Sequence, residues 1–234
     1  MKKYDLLRAI AFVLPLLFIT FLFYLKSSGS AFYDYLVSED SITEYLQAIA
    51  YFLSGGIFVV VGIKGSSIGS HLQKVFFLIA GFGILLIAFE EISWGQRLFG
   101  IKTPEWFQKN NIQKEISFHN LEPIQKTIHL AYALTGFVFS FGWIPLRYDR
   151  SFIKLTPDIM SIIRMLKPYR YLMTYFLPIF LFYTYLSLTG SPGNYFTFND
   201  QEIAELLLSL GFLMYSLEIL KSLNQRLHDS QCDS

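Results

Sequence analysis

One cysteine in 234 residues leaves no partner for an intrachain disulfide, and that residue, Cys232, sits in a polar tail without a C-x-x-C or other cysteine metal motif. Charge is scarce as well. Asp, Glu, Lys and Arg supply 16% of the chain, whereas soluble domains carry about a quarter. With a net charge of +1 there is no dominant basic face, which excludes nucleic acid as a partner. Neither a long repeat nor a low-complexity linker divides the sequence, so residues 1–234 read as a single domain. The H-E-x-x-H and G-x-S-x-G signatures of metal and serine hydrolases are also missing.

What the chain does contain is hydrocarbon. Hydrophobic residues make up 53% of it and aromatics 18%, with 24 Phe and 15 Tyr, as expected where rings face lipid and headgroups. A helix that crosses a bilayer needs about 20 mostly apolar residues. Six segments qualify, at about 6–25, 45–63, 75–94, 124–146, 171–190 and 202–220. The expected fold is therefore all-α: a polytopic integral membrane helical bundle of six transmembrane helices. Pro15 and Pro178 fall inside the first and fifth spans, where neighbours can satisfy the freed carbonyls. Residues 1–31, with Lys2 and Lys3 before an apolar stretch and then "SGSA", also carry signal-peptide features. Their apolar stretch is long for a signal, which favours a retained helix.

Local signals mark several helix starts. Ser41 and Glu44 match the S-x-x-E capping box, and Asp200 can cap the sixth span. In "TPEW", Thr103 as cap and Pro104 at the first helical position predict a short interfacial helix after the third span, about 104–110, anchored by Trp106 and Phe107. Asn120 or Glu122 can cap the fourth span, with Pro123 just inside it. Lys and Arg orient the whole. With the N-terminus inside, only Lys26, Arg97, Lys102, Lys109, Lys114 and Lys126 of the 19 basic residues lie outside. The loop at 147–170 holds Arg147, Arg150, Lys154, Arg164, Lys167 and Arg170. Both termini are expected in the cytoplasm and the protein in the plasma membrane, or the inner membrane of a bacterium.

Polar residues in spans face the bundle interior, a wet cavity or a partner. Helical spacing groups them into stripes. Glu44, Gln47, Tyr51 and Ser54 share a face of the second span, and Glu202, Glu205, Ser209 and Ser216 a face of the sixth. Glu122, Lys126, His129, Tyr132 and Ser140 share one on the fourth. "AFEEISWGQRLFG" closes the third span with Glu90, Ser93 or Trp94, and Arg97 in line. All four stripes begin at the outer end, which predicts an outward-facing polar pocket. Glu218, near the inner end, can pair with Lys221 one turn on.

The chemistry expected there is acid/base or metal-assisted. Glu90, Glu91, His119 and His129 are the candidate catalytic residues. Arg97, Trp94, Gln96, Asn120 and Glu205 are candidates for binding substrate. Glu91, His119 and His129 could ligate a divalent metal such as zinc, which would activate a bound water. Without a metal, a desolvated carboxyl near the interface can act as general acid or base, and Arg97 can hold an anionic headgroup. The substrate expected is a membrane lipid or lipid-linked molecule of the outer leaflet. A transporter or channel subunit is the alternative. A non-catalytic sensor or scaffold, using "SFIKLTPDIMSIIRMLKPYR" against the inner membrane surface, is another. Glycines 55, 56, 62, 81 and 83 permit close helix packing or a homo-oligomer.

Two short similarities touch the same residues. Glu90-Glu91 with Arg97 is similar to the E-E-x-x-x-R element of the CAAX-protease and bacteriocin-processing family of intramembrane metalloproteases. Here the arginine stands two residues late and no F-x-x-x-H follows. "SFHN" resembles the S-x-x-F-H element of alkaline-ceramidase-like hydrolases, yet Ser117 directly precedes Phe118 and a later H-x-x-x-H pair is missing. Each covers only a few residues. Neither family is assigned, and together they imply no more than lipid or peptide hydrolysis as a reaction class.

Overall fold

The computed structural model describes residues 3–38, 41–65, 70–96, 98–145 and 156–232. Among them the chain is helical, with a lone antiparallel bridge between Asn111 and Leu121 as its only strand-like pairing. The helices are α1 (Lys3–Ser27), α2 (Ala31–Leu36), α3 (Ile42–Gly65), α4 (His71–Glu91), α5 (Glu105–Asn110), α6 (Glu122–Phe141), α7 (Pro157–Met165), α8 (Met173–Thr189) and α9 (Gln201–Cys232). Five of these segments, those carrying α1, α3, α4, α8 and α9, are long and apolar enough to cross a membrane. Their outward faces fit that solvent: Leu17, Ile79 and Leu188 are exposed, which water would penalise and lipid does not.

Side-chain caps set many of the helix starts. Ser70 and Gln73 form a reciprocal capping box at α4, and Thr156 caps α7. The Ser41 hydroxyl accepts from the Thr43 N–H at 3.2 Å, as its cap position predicts. Other caps differ from expectation. Pro104, not Thr103, is the N-cap of α5, because the Thr103 hydroxyl is taken by Gln96 at 2.5 Å. Leu121 is the N-cap of α6, because the Asn120 amide is drawn to Gln113 and Glu115. Asp200 caps the turn before α9 by accepting from the Thr197 N–H at 2.7 Å.

α4, α3, α9, α8 and α6 pack side by side in that order, each against the next along its length. The row curls on itself. Tyr132 of α6 lies within electrostatic reach of Tyr51 on α3 and Glu91 on α4, and Phe139 of α6 meets Tyr215 of α9 edge-on at 4.8 Å. Small residues allow the closest approaches. A Cβ at Gly81 would stand 2.8 Å from the Val59 backbone nitrogen, and one at Gly136 would stand 2.6 Å from that of Phe180. Gly56 and Gly83, by contrast, face open space. Buried rings of Phe77, Phe176, Tyr183 and Tyr215 fill the middle.

α1 lies outside this row, held at its two ends. Near its start, Arg8 grips Glu218 of α9 through two hydrogen bonds of 2.9 and 2.8 Å, and the Tyr171 hydroxyl adds a third at 3.1 Å. So Glu218 pairs with an arginine 210 positions away rather than through the expected one-turn contact alone. Near its finish, Lys26 forms a buried ion pair with Asp200, to which the Tyr33 hydroxyl also donates. Burial, then the bond to Asp200, pushes the Tyr33 phenol above its ordinary pKa.

Candidate functional site

The turn after α4 is the most distorted backbone in the chain. Ser93, Trp94 and Gly95 follow one another with φ of 47°, 55° and 74°. Glycine accepts such angles freely, but each of the other two costs about 1–2 kcal/mol. Surrounding bonds hold them there. The Trp94 indole N–H donates to Glu90 Oε1 at 2.5 Å and its ring stacks on Phe89 at 5.6 Å. The Ser93 hydroxyl donates to Glu115. Gln96 Oε1 accepts from the Ile116 N–H at 2.7 Å.

Glu90 is the tie that fastens this turn to the segment before α6. Its Oε2 accepts from the Phe118 N–H at 2.6 Å and the His119 N–H at 3.1 Å, and lies 3.4 Å from His119 Nδ1. Burial alone would lower the His119 imidazole, but the Glu90 bond and nearby carboxylates outweigh it and raise its pKa above the ordinary value. Glu115 is a second tie. Buried to 7% exposure, it also accepts from Ser117 and Asn120 at 3.0 Å each. Gln96 and Asn120, expected to touch substrate, are buried and occupied within this loop. Trp94 stays half-exposed at its rim. Arg97 lies outside the described residues, as do the side chains of Glu122 and Lys126 and the basic residues Arg147, Arg150 and Lys154.

Beneath the loop the other acids converge. Glu91 of α4 is within electrostatic reach of Glu205 and Glu202 of α9, Glu44 of α3, and Glu115. Their placement follows from the stripes. α3 and α9 run in contact, so the face carrying Glu44, Gln47 and Tyr51 meets the face carrying Glu202 and Glu205. Tyr183 donates to Glu205 Oε1 at 2.6 Å, and its ring sits 4.9 Å from that of Tyr132. Gln47 donates to the Glu202 backbone oxygen at 2.8 Å and to its carboxylate at 3.3 Å. The Gln47 Oε1 is fully buried and accepts no hydrogen bond from any described residue. Glu91 accepts no hydrogen bond from any described residue. Two like charges about 6 Å apart repel by roughly 3 kcal/mol at an effective dielectric near 20. A shared proton or an incoming cation would relieve such repulsion.

The metal arrangement expected from the sequence is not assembled. His119 faces Glu90, whereas His129 Nε2 lies 2.9 Å from Gln201 Oε1 and its ring 5.4 Å from Tyr183. Among the described residues no three His, Cys, Asp or Glu side chains are grouped to hold a metal ion. The serines below the acids do not extend a polar path, because Ser54, Ser209 and Ser216 donate to carbonyls of their own helices. Sequence reasoning missed Glu115, which carries no helical periodicity, and placed Glu202 without a role. No protein-family model, curated protein or solved structure gives a match to this chain.

Proposed function

We propose that the chain is a membrane-embedded enzyme, a hydrolase or transferase acting on a lipid or lipid-linked substrate at the extracytoplasmic leaflet. The observation that carries this reading is Glu91, a half-buried carboxylate that accepts no hydrogen bond from any described residue, set among Glu44, Glu202 and Glu205. In an apolar bundle an unsatisfied acid is costly, and function is the usual reason to keep one. Glu205, oriented by Tyr183, and Glu91 would serve as the pair that passes a proton between substrate and enzyme. The orphaned Gln47 Oε1 offers an acceptor to a substrate hydroxyl or ammonium. His119 and Glu90 hold the loop that covers the acids, a positioning role.

This reading takes α6 as a sixth crossing. Its 20 residues span about 30 Å at about 1.5 Å each, which matches a hydrocarbon core of about 30 Å. Lys126 and His129 lower its hydropathy below that of its neighbours. With six crossings both termini share the cytoplasmic side, α5 lies along the outer interface, and the acids sit in the outer leaflet. Comparing the lipid profile of a deletion strain with that of cells carrying Glu91→Gln or Glu205→Gln tests the proposal. Both variants should accumulate the species that the deletion accumulates. Profiles indistinguishable from wild type would end it.

A further inference from the structure

α1 is pinned at Arg8–Glu218 and Lys26–Asp200; between them Phe18 and Ile19 pack against the core, but a cavity remains beside that contact. Ile19 and Leu22 of α1 face Leu177 and Leu181 of α8 and Ile203 and Leu207 of α9 across a cavity of about 560 Å³. That is the size range of small-molecule sites, about 300–1,000 Å³. The two ion pairs set the spacing of α1, so the gap cannot close by simple collapse. Its walls are mostly apolar, with polar groups such as Lys26, Tyr33, Asn194 and Asp200 at one end, and α1, α8 and α9 that form it are long and apolar enough to cross a membrane.

Beside the Lys26 end of this slot lies a second chamber of about 440 Å³, more polar than the first. Lys26 and Tyr33 line both. Ser30, Asp34, Thr197 and Asn199 complete the polar chamber. Asp200 is occupied by Lys26, Tyr33 and the Thr197 N–H. The Lys26 ammonium, which has three donors, keeps N–H groups beyond the one given to Asp200. Asp34 is exposed across the chamber. An apolar slot thus adjoins a chamber with one cation, one carboxylate and several hydroxyls, and the Lys26 and Tyr33 side chains belong to both.

We propose that slot and chamber bind one zwitterionic phospholipid, with an acyl chain in the slot, the phosphate beside Lys26 and the ammonium beside Asp34. The site is separate from the acid cluster. α9 turns Ile203, Ala204 and Leu207 to the slot, beside Asp200 of the preceding turn, and Glu202 and Glu205 to the other side, while α8 divides Leu177 and Leu181 from Tyr183 in the same way. The proposal therefore stands whether or not the bundle is an enzyme.

Photo-crosslinking of the full chain in phosphatidylglycerol nanodiscs tests it, using trace phosphatidylethanolamine or phosphatidylglycerol with a diazirine on the acyl chain. Phosphatidylethanolamine should label peptides around Leu177–Leu181 and Ile203–Leu207 well above those around the lipid-facing Leu130. Ala204→Phe, which fills the slot, should cut that labelling by roughly tenfold, about the effect expected of occupying the chain's own space. If that variant does not fold, Leu181→Trp, growing from an exposed position at the rim, should do the same. Asp34→Asn should erase the preference for phosphatidylethanolamine and leave slot labelling in place. Soluble glycerophosphoethanolamine should not compete, since chain burial supplies most of the affinity. Slot labelling no stronger than at Leu130, or unchanged by filling, would overturn the site. Equal labelling by phosphatidylglycerol in the unaltered chain, or competition by the soluble headgroup, would overturn the lipid assigned to it.

Discussion

Glu218 and Glu91 are the same residue type near opposite ends of one bundle, and their surroundings could hardly differ more. Glu218 accepts two hydrogen bonds from Arg8 and one from Tyr171. Glu91 accepts none from a described residue and faces three further carboxylates of α3 and α9. A carboxylate with its donors in place fastens helices together. One held among like charges adds nothing to cohesion and is available for chemistry. On the proposed reading these two carboxylates separate stability from function, and substitutions can break or sharpen that separation.

The largest expected effect lies at the tie of α1. Asp200→Ala strands the buried Lys26 ammonium and should destabilise the protein by about 3–5 kcal/mol, read as a lower melting temperature in detergent. Gly81→Val should cost about 1–3 kcal/mol by overpacking the α3–α4 contact. It should also impair function, since that contact sets Glu44 against Glu91. Glu218→Gln weakens a half-exposed pair and should cost about 1 kcal/mol with the lipid profile unaffected. Glu91→Gln should leave stability unchanged or raise it by less than about 1 kcal/mol, because it relieves repulsion. A Glu91→Gln protein as unstable as Asp200→Ala would erase the contrast.

The smallest effect is a pH dependence of the loop. The His119 pKa is raised in the folded protein, so its pairing with Glu90 contributes stability fully present below the ordinary imidazole value of about 6.5. That contribution is lost as pH rises through the raised value. Hydrogen exchange at the Phe118 and His119 amides should quicken over that window, and His119→Gln should flatten the profile.

Much of this arrangement is legible in the sequence because hydropathy and helical spacing are local. The segments of α3 and α4 appear within a few residues of their ends, and the Glu44/Gln47/Tyr51 and Glu202/Glu205 stripes mark the helix faces that meet. α9 runs to Cys232, well past the expected end near 220, because "KSLNQRLHDSQ" is polar enough to leave the membrane and still favours helix. What stayed hidden depends on partners distant in the chain. Glu90 looks like a free acid beside Glu91, but its acceptors are filled by backbone N–H groups of Phe118 and His119, which no side-chain pattern announces. His119 and His129 look like partners by composition, yet Gln201 and Glu90 draw them apart. Lys26 reads as an outer-side charge and Asp200 as a cap, and only folding brings them across 174 positions into one ion pair.

The most direct measurement is a titration of the Glu205 carboxyl by infrared difference spectroscopy. Its band is isolated by subtracting the Glu205→Gln spectrum, once in the unaltered chain and once in Glu91→Gln. If both acids share one hollow they titrate together, and removing Glu91 will move the midpoint of the Glu205 band. An identical midpoint in the two backgrounds would mean that the acids do not meet, and the proposed site would fall with them.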